Sequence, residues 1–384
     1  MSVTAAKGFT AAGVAAGIKS SGNPDLALVV NTGPRSAAAG VTTSNRVKAA
    51  PVLWTDQVLK GGAVTAVVLN SGGANACTGP AGFQDTHATA ERVAEVLGHS
   101  AAEVAVASTG LIGVRLPMDK LLPGIGLAAA ELSEHGGEKA AIAIKTTDTV
   151  HKTAVRTSPA GWTVGGMAKG AGMLAPGLAT MLVVVTTDAD VDSAVLDKAL
   201  REATRVTFDR VDSDGCMSTN DTVLLLASGA SGTVPEYDEF AAAVREVCAD
   251  LGRQLIGDAE GASKDIAIEV VNAATEDDAV LVARTVSRSN LLKCAIHGED
   301  PNWGRVLSAV GTTSAAFEPD ELNVAINGVW VCRNGSVGED RDLVDMRFRE
   351  VSITVDLAAG TESAVVWTND LTADYVHENS AYSS

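Results

Sequence analysis

The apolar run at residues 181–187, MLVVVTT, is the feature that most constrains the fold, because such a β-branched run predicts a buried strand. The glycine-rich segment before it predicts a loop, so Thr180 would be an ordinary first residue of the strand. Spacing favours this interpretation. A chain cut before Thr180 would instead give that residue a free amine, which titrates near pH ~8 and can serve as a base for its own hydroxyl.

Strand-like and helical patterns alternate along the rest of the chain. Its length of 384 residues exceeds what one core usually supports, so two structural halves are expected. No internal repeat or linker separates them. Asn327-Gly328 predicts a hairpin, and another pair of strands surrounds an Ala-Ala-Gly turn. The predicted strands are 26–30, 63–69, 103–107, 181–187, 222–227, 266–272, 323–326, 329–332, 351–357 and 363–368, and the predicted helices are 83–97, a segment after Pro117, 192–208, 236–256 and one from Asp277.

The charge and the cysteines exclude several classes of protein. A net charge of −18 argues against nucleic-acid binding, which depends on basic groups that replace counterions. The five cysteines are scattered without a CxxC pair, which favours a reducing cytoplasm. The N-terminal residues lack the apolar core of a signal peptide, and no apolar run reaches membrane-spanning length. We therefore expect a cytoplasmic protein with no membrane partner.

Seven motifs, which follow one another along the chain, together resemble those of a known protein family. They are LNSGGANACTG at 69–79, STGLIG at 108–113, TTDT at 146–149, KGAGMLAPGLATM at 169–181, STNDT at 218–222, DPNWGR at 300–305 and NSAYSS at 379–384. Together they span essentially the whole chain, which makes them far more specific than one glycine pattern. The chain resembles the ornithine acetyltransferase family, whose members are also called glutamate N-acetyltransferases.

This resemblance implies a fold and a processing event. The implied fold is a mixed α/β, self-cleaving, N-terminal-nucleophile-like αββα sandwich with a smaller C-terminal α/β lobe. Cleavage between Ala179 and Thr180 would give an α chain, residues 1–179, and a β chain, residues 180–384. Two copies of each would form a heterotetramer.

The resemblance also implies the reaction. Thr180 would take the acetyl group from N2-acetyl-L-ornithine and pass it to L-glutamate by ping-pong kinetics, with Thr109 and Gly110 as the oxyanion hole. Some family members also acetylate glutamate from acetyl-CoA, a candidate co-substrate here. No cofactor and no metal are expected. The substrate-binding positions implied are Thr146, Lys169, Thr180, Glu260, Asn379 and Ser384.

Other interpretations remain at this point. The wider fold also resembles self-cleaving aminopeptidases, so an N-terminal-nucleophile amidohydrolase, with water as the acceptor, is the alternative. A non-enzymatic binding protein would keep an intact chain. Spacing does not reveal the roles of Asn75, Cys77, Asn220 and Asp221. The box at 300–305 and the neighbouring His297 show no metal-ligand spacing, so no catalytic role is assigned to them.

Overall fold

The computed structural model describes residues 2–175 and 181–381. The strands in these ranges are β1 (Phe9–Val14), β2 (Leu26–Asn31), β3 (Ala37–Thr42), β4 (Ala66–Asn70), β5 (Val104–Ser108), β6 (Lys152–Thr157), β7 (Thr163–Lys169), β8 (Leu182–Thr187), β9 (Thr222–Ala227), β10 (Asp265–Ala273), β11 (Asn323–Ile326), β12 (Val329–Arg333), β13 (Ser336–Val337), β14 (Glu350–Asp356) and β15 (Glu362–Asn369). The helices are α1 (Ala50–Leu59), α2 (Gly79–Leu97), α3 (Met118–Ala130), α4 (Gly137–Ala143), α5 (Ser193–Val206), α6 (Tyr237–Gly257), α7 (Glu276–Ser287), α8 (Asn290–His297), α9 (Trp303–Val310) and α10 (Ala373–Ala381).

Two compact units divide the chain. The first contains the residues up to Asp209 together with Cys216–Asp258, and the second contains Arg210–Gly215 and the residues from Ala259 onward. The main division therefore lies between Asp258 and Ala259, and the short segment Arg210–Gly215 also belongs to the second unit. The expected break before Thr180 falls inside the sequence span of the first unit, and it stays a prediction.

The first unit is built in layers. One sheet has the order β1-β2-β4-β5 and the other has the order β3-β9-β8-β7-β6. Ala27 and Val29 of β2 pack with Leu182 and Val184 of β8 in a core between the sheets. The alternate β2 residues, including Leu28, pack on the opposite face with side chains of α2 and α3. Helices α5 and α6 cover the second sheet. The αββα sandwich predicted from the motifs is confirmed.

Strands β7 and β8 are antiparallel neighbours in the second sheet. Lys169, the last residue of β7, lies opposite Leu182, the first residue of β8. On its other side β8 pairs in parallel with β9. The segment that carries the expected cleavage site thus connects two hydrogen-bonded strands of one sheet.

The second unit is a smaller α/β lobe, as predicted. Its sheet has the order β13-β12-β11-β14-β10-β15, with α7 against β10 and β15. The predicted turn between β11 and β12 is confirmed, since Asn327 and Gly328 have φ values of 48° and 83°.

The strands predicted around Ala-Ala-Gly exist as β14 and β15, but the prediction that they form a pair is wrong. Strand β10 lies between them, parallel to β14 and antiparallel to β15. Two strands that are separated by one intervening strand lie only about 10 Å apart. A short connection can therefore join β14 to β15 whether they are direct neighbours or have β10 between them. Local pattern therefore could not decide the strand order.

The sequence interpretation missed the hairpin of β6 and β7. Gly165 and Gly166 lie inside β7, and glycine weakens a strand in isolation. Tertiary packing requires at least the first of them, because a Cβ on Gly165 would lie 2.4 Å from the carbonyl oxygen of Ser2. The close approach of the N-terminal segment explains a strand that propensity disfavours.

Candidate active site

The backbone of Thr109 is fixed at the end of β5. Strands β4 and β5 are parallel and end side by side, with Asn70 opposite Ser108. The Thr109 N–H donates to the Asn70 carbonyl oxygen at 3.0 Å, and the Gly73 N–H donates to the Thr109 carbonyl oxygen at 3.0 Å. These bonds hold the backbone of Thr109 in place on both sides of the residue.

Gly110 needs the freedom of glycine. Its φ is 134°, and a Cβ at this position would lie 2.7 Å from the Gly73 nitrogen. Across the described residues, the Gly110 N–H donates to no acceptor. A backbone N–H held in this way is the kind of donor that stabilises an oxyanion.

Lys169 lies beside Thr109. The side chain of this last β7 residue is buried, with a relative exposure of 1%, and its Nζ donates to Thr109 Oγ1 at 3.3 Å. Burial strengthens the electrostatic effect of an ammonium group on nearby charge. The structure thus brings together two residues that the motifs placed 60 positions apart in the chain.

Asp148 connects Thr146 to the end of β7. Its Oδ2 accepts the Thr146 N–H at 2.9 Å, and its Oδ1 accepts the Gly170 N–H at 2.7 Å. The same Oδ1 accepts a bond from Lys152 Nζ at 2.7 Å. One buried carboxylate therefore fixes both the loop that carries Thr146 and the residue that follows Lys169.

The charges around Asp148 keep it ionised. Burial would raise the pKa of this carboxyl, but the charges of Lys169 and Lys152, with the hydrogen bonds from Lys152 and Gly170, hold its pKa well below the ordinary value. Lys152 is also fully buried and reaches a second carboxylate, Asp258 Oδ2, at 2.6 Å. The loop is thus held by a buried ionic network rather than by isolated contacts.

Asn220, which lies two residues before β9, holds the end of β5 in place. Its Nδ2 donates to the Ser108 carbonyl oxygen at 2.8 Å and to the Ala74 carbonyl oxygen at 2.6 Å. The residue just before Thr109 is thereby held to the loop that contains Gly73. Spacing left the role of Asn220 open, and its contacts indicate a positioning role.

In the second unit, Glu260 and Asn379 are paired. Asn379 lies on α10, and its Nδ2 donates to Glu260 Oε2 at 3.0 Å. The start of α10 is anchored to the same turn, because Thr372 Oγ1 donates to the Gly261 carbonyl oxygen at 2.6 Å. Two positions that are far apart in the sequence thus present one carboxylate and one amide together.

Some predicted positions lie outside the described residues. They are Ala179 and Thr180 at the expected cleavage site and Ser384 at the C-terminus. The roles given to them, and to the positions above, remain predictions.

Other motif residues have structural contacts. Asn302 accepts the Arg305 N–H at the start of α9, and the Arg305 guanidinium donates to the Leu291 carbonyl oxygen. Asn75 donates to Gly82 and Thr86 in the first turns of α2. Over the described parts of the chain, no cluster of His, Cys, Asp and Glu could hold a metal ion, and no helix has the length and apolarity to cross a membrane.

No sequence pattern singled out Asp148 or gave a role to Asp221. Both lie in motifs, TTDT and STNDT, that carried the family resemblance. Motif membership was the available signal. Asp148 reaches Gly170 across 22 positions and Asp221 reaches Met181 across 40, so local spacing could not reveal these two contacts.

Comparisons with known proteins find relatives that match the whole chain. The chain matches the ArgJ family over residues 10–384. Proteins named arginine biosynthesis bifunctional protein ArgJ from Streptomyces coelicolor and Thermobifida fusca are 82% and 65% identical to it, each over the full length of both chains. A solved ornithine acetyltransferase from Mycobacterium tuberculosis, complexed with ornithine, is 62% identical over 47% of this chain and 96% of that chain, with a TM-score of 0.46.

The layered fold defines the class of protein, which is an α/β sandwich. At the edge of one of its sheets, the buried ammonium group of Lys169 contacts the hydroxyl of Thr109. The chain belongs to the ArgJ family of arginine-biosynthesis proteins. The resemblance inferred from its motifs is confirmed.

Proposed function

We propose that this protein is a self-processing acetyltransferase that moves the acetyl group of N2-acetyl-L-ornithine to L-glutamate through acetyl-Thr180. The observation that carries the proposal is the contact of Lys169 Nζ with Thr109 Oγ1, next to the Gly110 N–H that has no acceptor within the described residues. These donors lie in the unit whose strands β7 and β8 flank the Thr180 segment. Family membership supplies the reaction class.

Processing comes first in this proposal. The Thr180 hydroxyl attacks the Ala179 carbonyl carbon, the C–N bond breaks, and the nitrogen takes the proton to become a free amine. Water then hydrolyses the resulting ester, which restores the hydroxyl and leaves Ala179 as a carboxylate. The product is an N-terminal threonine that carries both nucleophile and base.

Acetyl transfer then takes two steps. Thr180 Oγ attacks the acetyl carbonyl carbon, its proton passes through the α-amine to the leaving nitrogen, and ornithine departs. The glutamate amine attacks the acetyl ester and releases the Thr180 hydroxyl. The same acetyl-enzyme serves both substrates, so the kinetics should be ping-pong.

Each tetrahedral intermediate carries a negatively charged oxygen, and we propose that Thr109 and Gly110 bind this oxygen. The hydroxyl and the N–H would donate to that oxygen, and the Lys169 ammonium group would stabilise it at short range. Because Lys169 is buried, its charge is poorly screened by water. Lys169 and Thr146 would also receive the substrate.

The carboxylate of Glu260 and the amide of Asn379, both in the second unit, suit an amino-acid substrate. Ornithine has a δ-ammonium group that glutamate lacks, and Glu260 is the carboxylate we assign to it. Asn379 would hold Glu260 in place through their hydrogen bond. Ser384 is assigned to the substrate on family grounds.

Further parts of the proposal follow from the family. Acetyl-CoA is proposed as a second acetyl donor, in line with the word bifunctional in the relatives' names. Two α chains and two β chains would form the active heterotetramer. The scattered cysteines support the cytoplasm as its compartment.

The proposal is tested by comparing the Thr180→Ala variant with a control variant, Thr187→Ala. Thr187 is a buried threonine at the other end of β8 whose hydroxyl accepts the Ala189 N–H. We expect Thr180→Ala to stay one chain without transferase activity, and Thr187→Ala to be cut and active. Intact mass and an assay of N-acetylglutamate report both outcomes. A Thr180→Ala protein that is still cut, or acetate release without glutamate in the wild type, would refute the proposal.

A further inference from the structure

The carboxyl group of Asp221 contacts the residue that follows the proposed nucleophile. Asp221 is fully buried just before β9, and its Oδ1 accepts the Met181 N–H at 3.0 Å. The Met181 carbonyl oxygen accepts the Thr222 N–H at 3.1 Å. Asp221 and the first residue of β9 thus hold both polar backbone groups of Met181.

The two oxygens of this carboxyl group have different surroundings. Asp221 Oδ2 is buried and has no hydrogen-bond partner within residues 2–175 and 181–381. Buried polar atoms without a partner are rare and costly when they serve only the fold. Burial raises the pKa of Asp221 well above its ordinary value, against the opposing effects of the Met181 N–H, of Lys169 and of the nearby hydroxyls of Ser218 and Thr43. Oδ1 nevertheless keeps a fixed partner in the Met181 N–H.

We propose that Asp221 is a positioning residue for the nucleophile, because its carboxyl group holds the N–H of Met181, the residue that follows Thr180 in the chain. A peptide unit is planar, so fixing its N–H fixes the orientation of the whole unit. This inference rests on the proposed function, because it needs Thr180 to be the reacting residue.

Asp188 offers a matched comparison. It is also a buried aspartate of the first unit, next to the opposite end of β8. Its Oδ1 accepts the Thr163 N–H at 2.7 Å and its Oδ2 accepts the Lys7 N–H at 3.0 Å. Both of its oxygens are satisfied by backbone groups, which is typical of a structural carboxylate.

The experiment compares Asp221→Ala, Asp221→Asn and Asp188→Ala in the full-length chain. Processing is followed by intact mass, transfer by kcat and KM, and folding by the melting temperature. We expect Asp221→Ala to slow processing and lower kcat about a hundredfold with little change in KM, because the reacting group is misplaced. Asp221→Asn keeps an acceptor oxygen for Met181 and should restore most of both rates. Asp188→Ala should lower the melting temperature and leave processing and kcat near wild type.

Three results would overturn the positioning role. They are wild-type rates in Asp221→Ala, a folded but inactive Asp221→Asn, and equal losses of kcat in Asp188→Ala and Asp221→Ala. The Asn variant decides the matter if the Ala variant does not fold. A wild-type chain that neither divides before Thr180 nor transfers acetyl groups would instead contradict the proposed function itself, so the two failures are distinguishable.

Discussion

At the scale of single residues, three groups from different strands and loops converge on one sheet edge. Thr109 follows β5, Gly110 adopts a φ that disfavours side chains, and Lys169 ends β7. The hydroxyl, the N–H and the ammonium group are each held by backbone contacts or by burial. Such preorganised donors stabilise developing charge without reorganising during the reaction.

The first prediction concerns Gly110→Ala. Its Cβ would collide with the Gly73 backbone, so the Gly110 N–H should move and kcat should fall roughly 100-fold or more. Gly113→Ala is the control, since Gly113 also has a positive φ, 86°, but a Cβ there meets nothing within 4 Å. Steady-state kinetics of both variants measure the difference. Equal activity in the two proteins would argue against an oxyanion role for Gly110.

At the scale of elements, loop 146–149 and the end of β7 are held by the Asp148 carboxylate. The sequence indicated both segments through motifs, but not the bond between them. Most strands and helices after residue 180 were predicted correctly, because their periodicity is strong. The order of β14, β10 and β15 and the glycine-containing β7 were not, because packing between distant segments decides them.

The second prediction is that Asp148→Asn lowers stability near neutral pH by about 3 kcal/mol, because Lys152 and Lys169 lose a buried charged partner. The pKa of Asp148 is lower in the folded state than in the unfolded chain. Its contribution is therefore fully present above the ordinary aspartate pKa and is lost as pH falls through the folded value.

Urea unfolding of both proteins at neutral and at acidic pH measures this effect. The gap between wild type and Asp148→Asn should narrow as the pH falls below about 4, the ordinary aspartate range. A gap that does not change with pH would mean that the charge of Asp148 contributes nothing. Asp188→Asn serves as a control that also removes a buried carboxylate of the first unit.

At the scale of the whole molecule, the expected cut leaves the sheet of the first unit continuous. Strands β7 and β8 pair from Val164 with Thr187 to Lys169 with Leu182, so the two pieces share backbone hydrogen bonds and a core. The family and the layered fold could be predicted from the motifs. The placement of the cut between neighbouring strands could not, because it depends on strand order.

The third prediction follows from this arrangement. The processed pieces should elute together in gel filtration without denaturant and separate only in denaturing electrophoresis, because separation would expose the apolar faces of β7 and β8. Pieces that elute apart under native conditions would contradict the pairing.

If Thr180 carries the acetyl group during transfer, the intact mass of the processed protein reveals the acetyl-enzyme. The protein is incubated with N2-acetyl-L-ornithine and without glutamate, and its pieces are then weighed. We expect the 180–384 chain to gain the mass of one acetyl group, located on Thr180 by fragmentation, and to lose it when glutamate is added. An unmodified 180–384 chain, or an acetyl group elsewhere, would contradict it.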